Sequence, residues 1–177
     1  FDFNVYTQCS DGDLMEGVAA EAASLAGHLK LSNLCWIYDD NKITIDGRTD
    51  LSFSEDVGAR FAAYGWHVLH VRDGNDLDDI DTALTQAAAH ADAPTLIVLR
   101  TIIGDPAPTK RDSSKAHGEP LGADEITRTK ALLDWPTEPF HVAPEAYAEM
   151  APLAERGREL VQAWEARMSA SPKATAY

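Results

Sequence analysis

Two short stretches of the sequence combine carboxylates, an amide and a glycine in a way that suits the binding of a cation and a phosphate. The first, "CSDGDLMEG" at residues 9–17, contains Asp11 and Gly12, and the second, "DDNKI" at residues 39–43, contains Asn41. A carboxylate, an amide oxygen and a nearby backbone carbonyl form a hard oxygen set, which suits Mg²⁺ or Ca²⁺ when ligand phosphates complete the shell. Gly12, which has no Cβ, would let a phosphate approach the backbone, and a following helix would favour its charge.

The same two stretches have a simpler interpretation. Acidic residues stabilise the first turn of a helix through capping and through the helix dipole, so both stretches could be capped, solvated turns. Periodicity and composition alone favour neither interpretation.

A strict alternation of strands and helices surrounds these turns. Apolar runs predict the strands, and helical spacing of apolar residues predicts the helices. The predicted strands are residues 3–9, 34–38, 67–71 and 95–100, and the predicted helices are 14–29, 54–63 (capped by Ser54) and 77–91. This order predicts an α/β fold with a doubly wound parallel sheet, in which ligands bind beyond the carboxyl ends of the strands. If the first two strands are neighbours, Asp11 and Asn41 lie at the same edge.

The last third of the chain carries a long irregular loop and two more predicted helices. Residues 103–122 contain prolines, glycines and scattered charges without periodicity, and a loop of this length is usually functional or disordered. Helices are predicted at 124–133 and 144–168, followed by a tail of linker composition. We interpret residues 1–150 as a domain that is incomplete at its N-terminus, and residues 151–177 as a helix and linker toward a missing domain. The chain is therefore expected to be a piece of a longer protein.

The amino-acid composition argues against some classes of binding partner. The 177 residues carry a net charge of −14, which argues against nucleic acid and anionic membranes but leaves room for a phosphorylated ligand held by backbone N–H groups and a cation. The sequence contains no bilayer-spanning apolar run and no signal-peptide pattern, so a cytoplasmic protein is expected. Cys9 and Cys35 could lie close together, but two cysteines imply no disulfide framework, and reduced buried thiols are the favoured interpretation.

Five stretches of the sequence resemble the transketolase family. They occur in the family's order, within a resemblance that covers about residues 6–142: "SDGDLMEG", "EAASLAGHLKLSNL", "YDDNKITIDGRT", "FAAYGWHVLHVRDGND" and "AHGEPLG". The first three are similar to the thiamine diphosphate motif of transketolases, in which an Asp-Gly turn precedes an asparagine by thirty residues. The sequence departs from that motif at Ser10, where the family has glycine.

The resemblance implies thiamine diphosphate and Mg²⁺ (or Ca²⁺) as cofactors, and a fold of the thiamine diphosphate-binding type. It implies that the side chains of Asp11 and Asn41 and the backbone carbonyl of Ile43 bind the cation. Asp11, Gly12 and Asn41 would also hold the diphosphate, and Ile103 would be a further cofactor contact.

Two further residues take roles from the resemblance. His117 in "AHGEPLG" would contact the diphosphate and the substrate and act as the catalytic residue, although the residues alone favour a surface histidine. Glu16 would lie at the dimer interface and take part in communication between active sites, although the residues alone favour an ordinary first-turn glutamate.

The function implied by the resemblance is that of a transketolase. Such an enzyme transfers a two-carbon ketol unit from a ketose phosphate to an aldose phosphate in the pentose phosphate pathway. Sugar phosphates would be the substrates, and a homodimer or a pyrimidine-binding partner domain would complete the site, so this chain alone is expected to be inactive. The alternatives are a transketolase-like enzyme with another acceptor, of the dihydroxyacetone synthase type, and a non-catalytic diphosphate-binding module.

Overall fold

The computed structural model of the chain describes residues 3–171. The chain divides into two compact units, Phe1–Leu133 and Asp134–Tyr177. The first contains a parallel sheet, and the second contains a long helix.

The first unit is built on a four-stranded parallel sheet. Its strands are β1 (Val5–Ser10), β2 (Leu34–Asp40), β3 (His67–Val71) and β4 (Thr95–Arg100), in the order β1-β2-β4-β3. The helices α1 (Asp11–Met15), α2 (Gly17–His28), α3 (Val57–Ala63) and α4 (Leu77–Ala89) connect them. The predicted α/β fold and the predicted neighbours β1 and β2 are confirmed.

Helices cover both faces of this sheet, as expected of a doubly wound fold. One core cluster joins residues of β2 and β4 to Ala23 of α2 and Phe61 of α3, and it includes Tyr38 and Leu96. The other joins β2, β3 and β4 to α4 through Ala83 and its neighbours. Because helices cover both faces of the central strands, β2 and β4 contain continuous apolar runs, whereas the edge strand β1 exposes Val5 and Tyr6.

The two cysteines lie in different clusters and are both free and buried, which confirms the reduced-thiol interpretation. Burial raises the pKa of Cys35 to about 11. Burial, followed by the charges of Asp13, Asp11 and Asp39, raises the pKa of Cys9 to about 12, so neither thiol ionises readily near neutral pH.

Two predicted helix starts are wrong. The helix predicted at 14–29 is broken at Glu16, whose backbone is extended with φ −72° and ψ 133°. The break lets α1 turn Leu14 inward while α2 independently buries Ala23 and its neighbours. The cap of α3 is Asp56 rather than Ser54, because the Asp56 carboxylate accepts the backbone N–H of Ala59 at 2.9 Å.

The region after β4 is irregular, as predicted. Residues 103–122 contain only turns and one 3₁₀ turn, Ser114–Ala116. Helix α5 (Ala123–Leu132) follows and closes the first unit.

The second unit contains α6 (Pro144–Ala170), a continuous helix of 27 residues with no fully buried side chain. The predicted boundary after residue 150 falls inside this helix, and the compact units divide earlier, between Leu133 and Asp134. Part of the predicted linker tail, residues 172–177, lies outside the described residues. Within residues 3–171, no helix combines the length and the apolar content needed to cross a bilayer.

We expect Gly27→Ala to lower the free energy of unfolding by about 1–3 kcal/mol, the usual cost of overpacking. A Cβ at Gly27 would lie 2.0 Å from the backbone carbonyl oxygen of Tyr64, so helix α2 and the end of α3 would have to separate. Gly17→Ala is the control, since no heavy atom lies within 4 Å of a Cβ there. Urea unfolding of both variants is the measurement, and equal stability of the two would contradict the close approach.

Candidate functional site

The pairing of β1 with β2 brings the two acidic turns together. The strands are parallel, and Ser10 pairs with Asp39, so the chain leaves both strands at the same edge of the sheet. Directly beyond that edge, the Asp11 Oδ2 atom accepts the backbone N–H of Lys42 at 3.0 Å. The turn that contains Asn41 therefore lies against Asp11, as the sequence predicted.

Asp11 is a completely buried carboxylate with 0% of its surface exposed. Its Oδ1 atom accepts the hydroxyl of Tyr38 at 2.5 Å, and that hydroxyl also lies 3.0 Å from Asp40 Oδ1. Burial raises the pKa of Asp11, while the hydrogen bonds from Tyr38 and from the Lys42 N–H oppose the rise. A buried carboxylate with a raised pKa is stabilised in its ionised form by a cation, and this favours the metal-binding interpretation over a solvated cap.

Asn41 and Ile43 form a tight turn beside this carboxylate. Asn41 is buried, and its Oδ1 atom accepts the backbone N–H of Ile43 at 2.9 Å. Between them Lys42 adopts a left-handed backbone with φ +66°, which costs about 1–2 kcal/mol for a residue with a Cβ. The Lys42 N–H bond to Asp11 and the ion pair between Lys42 Nζ and Asp40 Oδ1, at 2.6 Å, help to offset that cost.

The oxygen atoms of this turn fit a hard cation. Each oxygen of Asp11 accepts one hydrogen bond from the protein, as does Asn41 Oδ1, so each retains a lone pair. The Ile43 carbonyl accepts no hydrogen bond from the residues that the structure describes. Between residues 3 and 171, no group of three or more His, Cys, Asp or Glu side chains is arranged for a metal. One carboxylate, one amide and one carbonyl would therefore need phosphate oxygens to complete a coordination shell.

Gly12 leaves open space next to Asp11. No heavy atom lies within 4 Å of the position of a Cβ at Gly12, so packing within the chain does not require glycine there. A phosphate could approach this backbone closely. Helix α1 has only five residues, so its dipole contributes less to anion binding than the long helix that the sequence predicted.

The loop of residues 103–122 folds back on itself and brings Ile103 and His117 into one compact segment. A Cβ at Gly104, which has φ +70°, would lie 2.8 Å from the Cβ of Ala116. The Ile103 carbonyl accepts the N–H of Asp112 at 3.0 Å, and the His117 N–H donates to the Ser114 carbonyl at 2.9 Å. Gly104 and Ala116 therefore lie close together, and each is next in the sequence to one of the two predicted cofactor contacts, Ile103 and His117.

The imidazole of His117 is half-buried, and its Nδ1 atom is buried without a hydrogen-bond partner among residues 3–171. No hydrogen bond of the described residues joins His117 to Asp11, Gly12 or Asn41. The placement of His117 at the diphosphate therefore stays a prediction, and the orphaned Nδ1 atom is available for a ligand.

Glu125 anchors this loop to α5. Its carboxylate is 3% exposed and accepts the backbone N–H groups of Thr109, at 2.5 Å, and Lys110, at 3.2 Å. It also accepts the Thr109 hydroxyl at 2.9 Å and pairs with Arg128 at 3.2 Å. The hydrogen bond from the Thr109 N–H is the main reason why the pKa of Glu125 lies below its usual value.

Glu16 lies at the exposed break between α1 and α2, beside a cavity of about 580 Å³ that Leu14, Phe53 and Arg60 also line. The Arg60 guanidinium donates to the Leu14 carbonyl at 3.1 Å and pairs with Glu55 at 2.9 Å. The predicted role of Glu16 at a dimer interface stays a prediction.

A family model described as "Transketolase, thiamine diphosphate binding domain" matches residues 1–177. The chain belongs to this family. The transketolase of Halalkalibacterium halodurans is 49% identical to it over 164 residues, which are 92% of this chain and 24% of that protein. The resemblance stated from the sequence is thereby confirmed.

Solved transketolase structures share the fold. The transketolase of Campylobacter jejuni superposes with a TM-score of 0.90 at 37% identity, covering 99% of this chain and 28% of that one. A Pichia stipitis transketolase in complex with sedoheptulose 7-phosphate superposes with a TM-score of 0.88 at 40% identity, covering 96% of this chain and 25% of that one. This chain thus spans about a quarter of the length of the transketolases that it matches.

Sequence reasoning missed three residues that shape the candidate site and the loop of residues 103–122. Tyr38 was assigned only to a buried strand, although a buried tyrosine hydroxyl needs a partner and two aspartates follow it. The left-handed backbone of Lys42 has no sequence signal, because lysine rarely adopts that conformation. Glu125 resembles an ordinary acidic residue in the first turn of a helix, and only the fold shows that it reaches the loop.

We expect Glu125→Gln to loosen the loop at neutral pH, because the amide cannot accept from Thr109 and Lys110 as strongly as a carboxylate does. A depressed pKa means that ionised Glu125 stabilises the fold above its ordinary pKa, and that this contribution is lost as the pH falls through the folded-state value. Hydrogen exchange of the Thr109 and Lys110 amides should therefore be faster in the variant at neutral pH, and the difference should shrink in acid. Glu119→Gln, at an exposed position in the same loop, is the control. Unchanged exchange in Glu125→Gln would contradict the anchoring role.

Proposed function

We propose that this chain is the metal- and diphosphate-binding part of a larger transketolase, which transfers a two-carbon ketol unit from a ketose phosphate to an aldose phosphate. The observation that carries the proposal is the completely buried Asp11 carboxylate beside Asn41 and the open backbone of Gly12. Packing within the chain does not require glycine at position 12, and each Asp11 oxygen retains a lone pair, so the arrangement suits a cation that carries a diphosphate.

In this proposal the chain's own residues bind and orient the cofactor. Asp11, Asn41 and the Ile43 carbonyl hold Mg²⁺, or Ca²⁺, and Gly12 lets the diphosphate approach the backbone. Ile103 adds an apolar contact at the start of the loop. Bound thiamine diphosphate supplies the nucleophilic carbon that breaks and forms the carbon–carbon bonds.

His117 is the proposed catalytic residue of this part of the site. Its Nδ1 atom is buried without a hydrogen-bond partner among residues 3–171. It can therefore donate a hydrogen bond to a ligand oxygen or accept one from a ligand hydroxyl. An imidazole has two nitrogen atoms that can each carry a proton, so it can also hold or release a proton at a substrate hydroxyl.

Substrates and partners of the larger enzyme follow by similarity. The Pichia stipitis relative is in complex with sedoheptulose 7-phosphate, which supports sugar phosphates as the substrates. We also propose a homodimer or a pyrimidine-binding partner domain that completes the site, with Glu16 at that interface. A cytoplasmic enzyme of the pentose phosphate pathway is consistent with these substrates. The transketolase relatives favour this function over a dihydroxyacetone synthase-type enzyme or a non-catalytic module.

Asp11→Asn should abolish Mg²⁺-dependent binding of thiamine diphosphate in the larger enzyme while leaving it folded, because the amide oxygen can still accept one of the two hydrogen bonds made to Asp11. The amide keeps the size of the side chain but removes the charge that the cation needs. Asp13→Asn is the matched control, because Asp13 is an exposed acid of the same turn whose carboxylate accepts hydrogen bonds from the backbone N–H and the hydroxyl of Ser10. Calorimetric titration with and without Mg²⁺ is the measurement. Wild-type affinity in Asp11→Asn would remove Asp11 from the metal site.

His117→Ala should lower kcat by roughly 10²–10⁴-fold at saturating cofactor, the usual contribution of a general acid or base. Cofactor affinity should fall much less, because the cation and Gly12 hold the diphosphate. His90→Ala is the control, since His90 stacks on His67 at the amino end of the sheet, away from the site. Formation of sedoheptulose 7-phosphate from xylulose 5-phosphate and ribose 5-phosphate is the measurement. Wild-type kcat with a raised cofactor requirement would make His117 a phosphate ligand only, and no product from the unaltered enzyme would contradict the proposed function.

A further inference from the structure

The hydroxyl of Tyr38 is buried among the carboxylates of the candidate site. The ring packs in the core cluster that covers one face of the sheet, and the side chain is 1% exposed. Its hydroxyl lies 2.5 Å from Asp11 Oδ1 and 3.0 Å from Asp40 Oδ1. A hydroxyl has one hydrogen to donate, so the shorter contact, to Asp11, is the principal bond.

The second carboxylate has its own partner. Asp40 Oδ1 forms an ion pair with Lys42 Nζ at 2.6 Å, which compensates its charge. Asp40 therefore does not need the tyrosine proton, and the hydroxyl remains with Asp11. Without that hydroxyl, Asp11 and Asp40 would face each other with no donor between them.

Two donors fix the Asp11 carboxylate, one at each oxygen. Tyr38 holds Oδ1, and the Lys42 backbone N–H holds Oδ2 at 3.0 Å. Tyr38 is the only side chain between residues 3 and 171 that donates a hydrogen bond to Asp11. It reaches Asp11 from the neighbouring strand, so the sheet itself sets the orientation of the carboxylate.

We propose that Tyr38 is a positioning residue for the cation, because its hydroxyl fixes the carboxylate of Asp11. This inference rests on the proposed function, in which Asp11 binds Mg²⁺. Tyr38 acts through Asp11 and does not itself touch the metal. Donors that orient a metal-binding side chain are typically worth 10- to 100-fold in metal affinity.

Tyr38→Phe in the larger enzyme tests the inference, because it removes one oxygen and keeps the ring. Calorimetric titration of the variant with Mg²⁺ at saturating thiamine diphosphate should show about 10- to 100-fold weaker Mg²⁺ binding than in the unaltered enzyme. Titration of thiamine diphosphate at saturating Mg²⁺ should give an affinity close to that of the unaltered enzyme. A purely structural role would instead affect both titrations alike.

Thr95→Val is the matched control. It also removes a buried hydroxyl, but at the amino end of β4, where Thr95 contacts His67. This variant should lose stability without any change in Mg²⁺ affinity.

The possible outcomes are distinguishable. Weaker Mg²⁺ binding in Tyr38→Phe alone supports the inference, whereas unaltered Mg²⁺ binding, or equal weakening in Thr95→Val, overturns it. If the unaltered enzyme shows no Mg²⁺-dependent binding, the proposed function fails and the inference fails with it. Should Tyr38→Phe not fold, the same comparison is made in an Asp40→Asn background, which removes the carboxylate that would face Asp11. There, Mg²⁺ binding that does not weaken on Tyr38→Phe overturns the inference.

Discussion

A carboxylate buried at the carboxyl end of β1 is the constraint on which the rest of the site depends. Taking an ion out of water costs several kcal/mol even after the protein relaxes. Two hydrogen bonds to Asp11, from Tyr38 and from the Lys42 backbone, each return about 1.5–3 kcal/mol. A cation beside the carboxylate would supply the remaining stabilisation. The buried position of Asp11 therefore favours cation binding over an unpaired negative charge.

The strand order explains why distant segments meet at this carboxylate. β2 lies between β1 and β4, so its carboxyl end borders both the Asp11 turn and the start of the long loop. Asp39 illustrates the connection, because its carboxylate accepts both the Thr101 hydroxyl from beyond β4 and the Asn41 amide. In a parallel sheet all the strands end at one edge, so residues sixty positions apart converge without a special connection.

The sequence predicts the parallel sheet and the meeting of Asp11 with Asn41, because both follow from the alternation of elements. It does not predict the break at Glu16, because the apolar spacing continues across it and an isolated glycine such as Gly17 is tolerated inside a helical pattern. It also does not predict the Tyr38 bond to Asp11, which depends on the register of β1 against β2. Hydrogen bonds between residues on different strands can therefore be predicted only once the strand register is known. Whether a segment forms a helix or a strand depends on nearby residues and can be predicted from the sequence.

The charged side chains around the site provide little positive charge to balance the negative charge of a diphosphate. The chain carries a net charge of −14, and the basic side chain nearest to Asn41, that of Lys42, is already paired with Asp40. Arg100 donates to the Asp40 carbonyl and so serves the turn itself. Helix α1 is too short to contribute a large dipole. A diphosphate held by these residues would therefore meet little positive charge from the protein, and the proposed cation at Asp11 would be the principal counter-charge. We therefore expect the cation to provide most of the attraction for the diphosphate, with the backbone at Gly12 as a second, weaker contact.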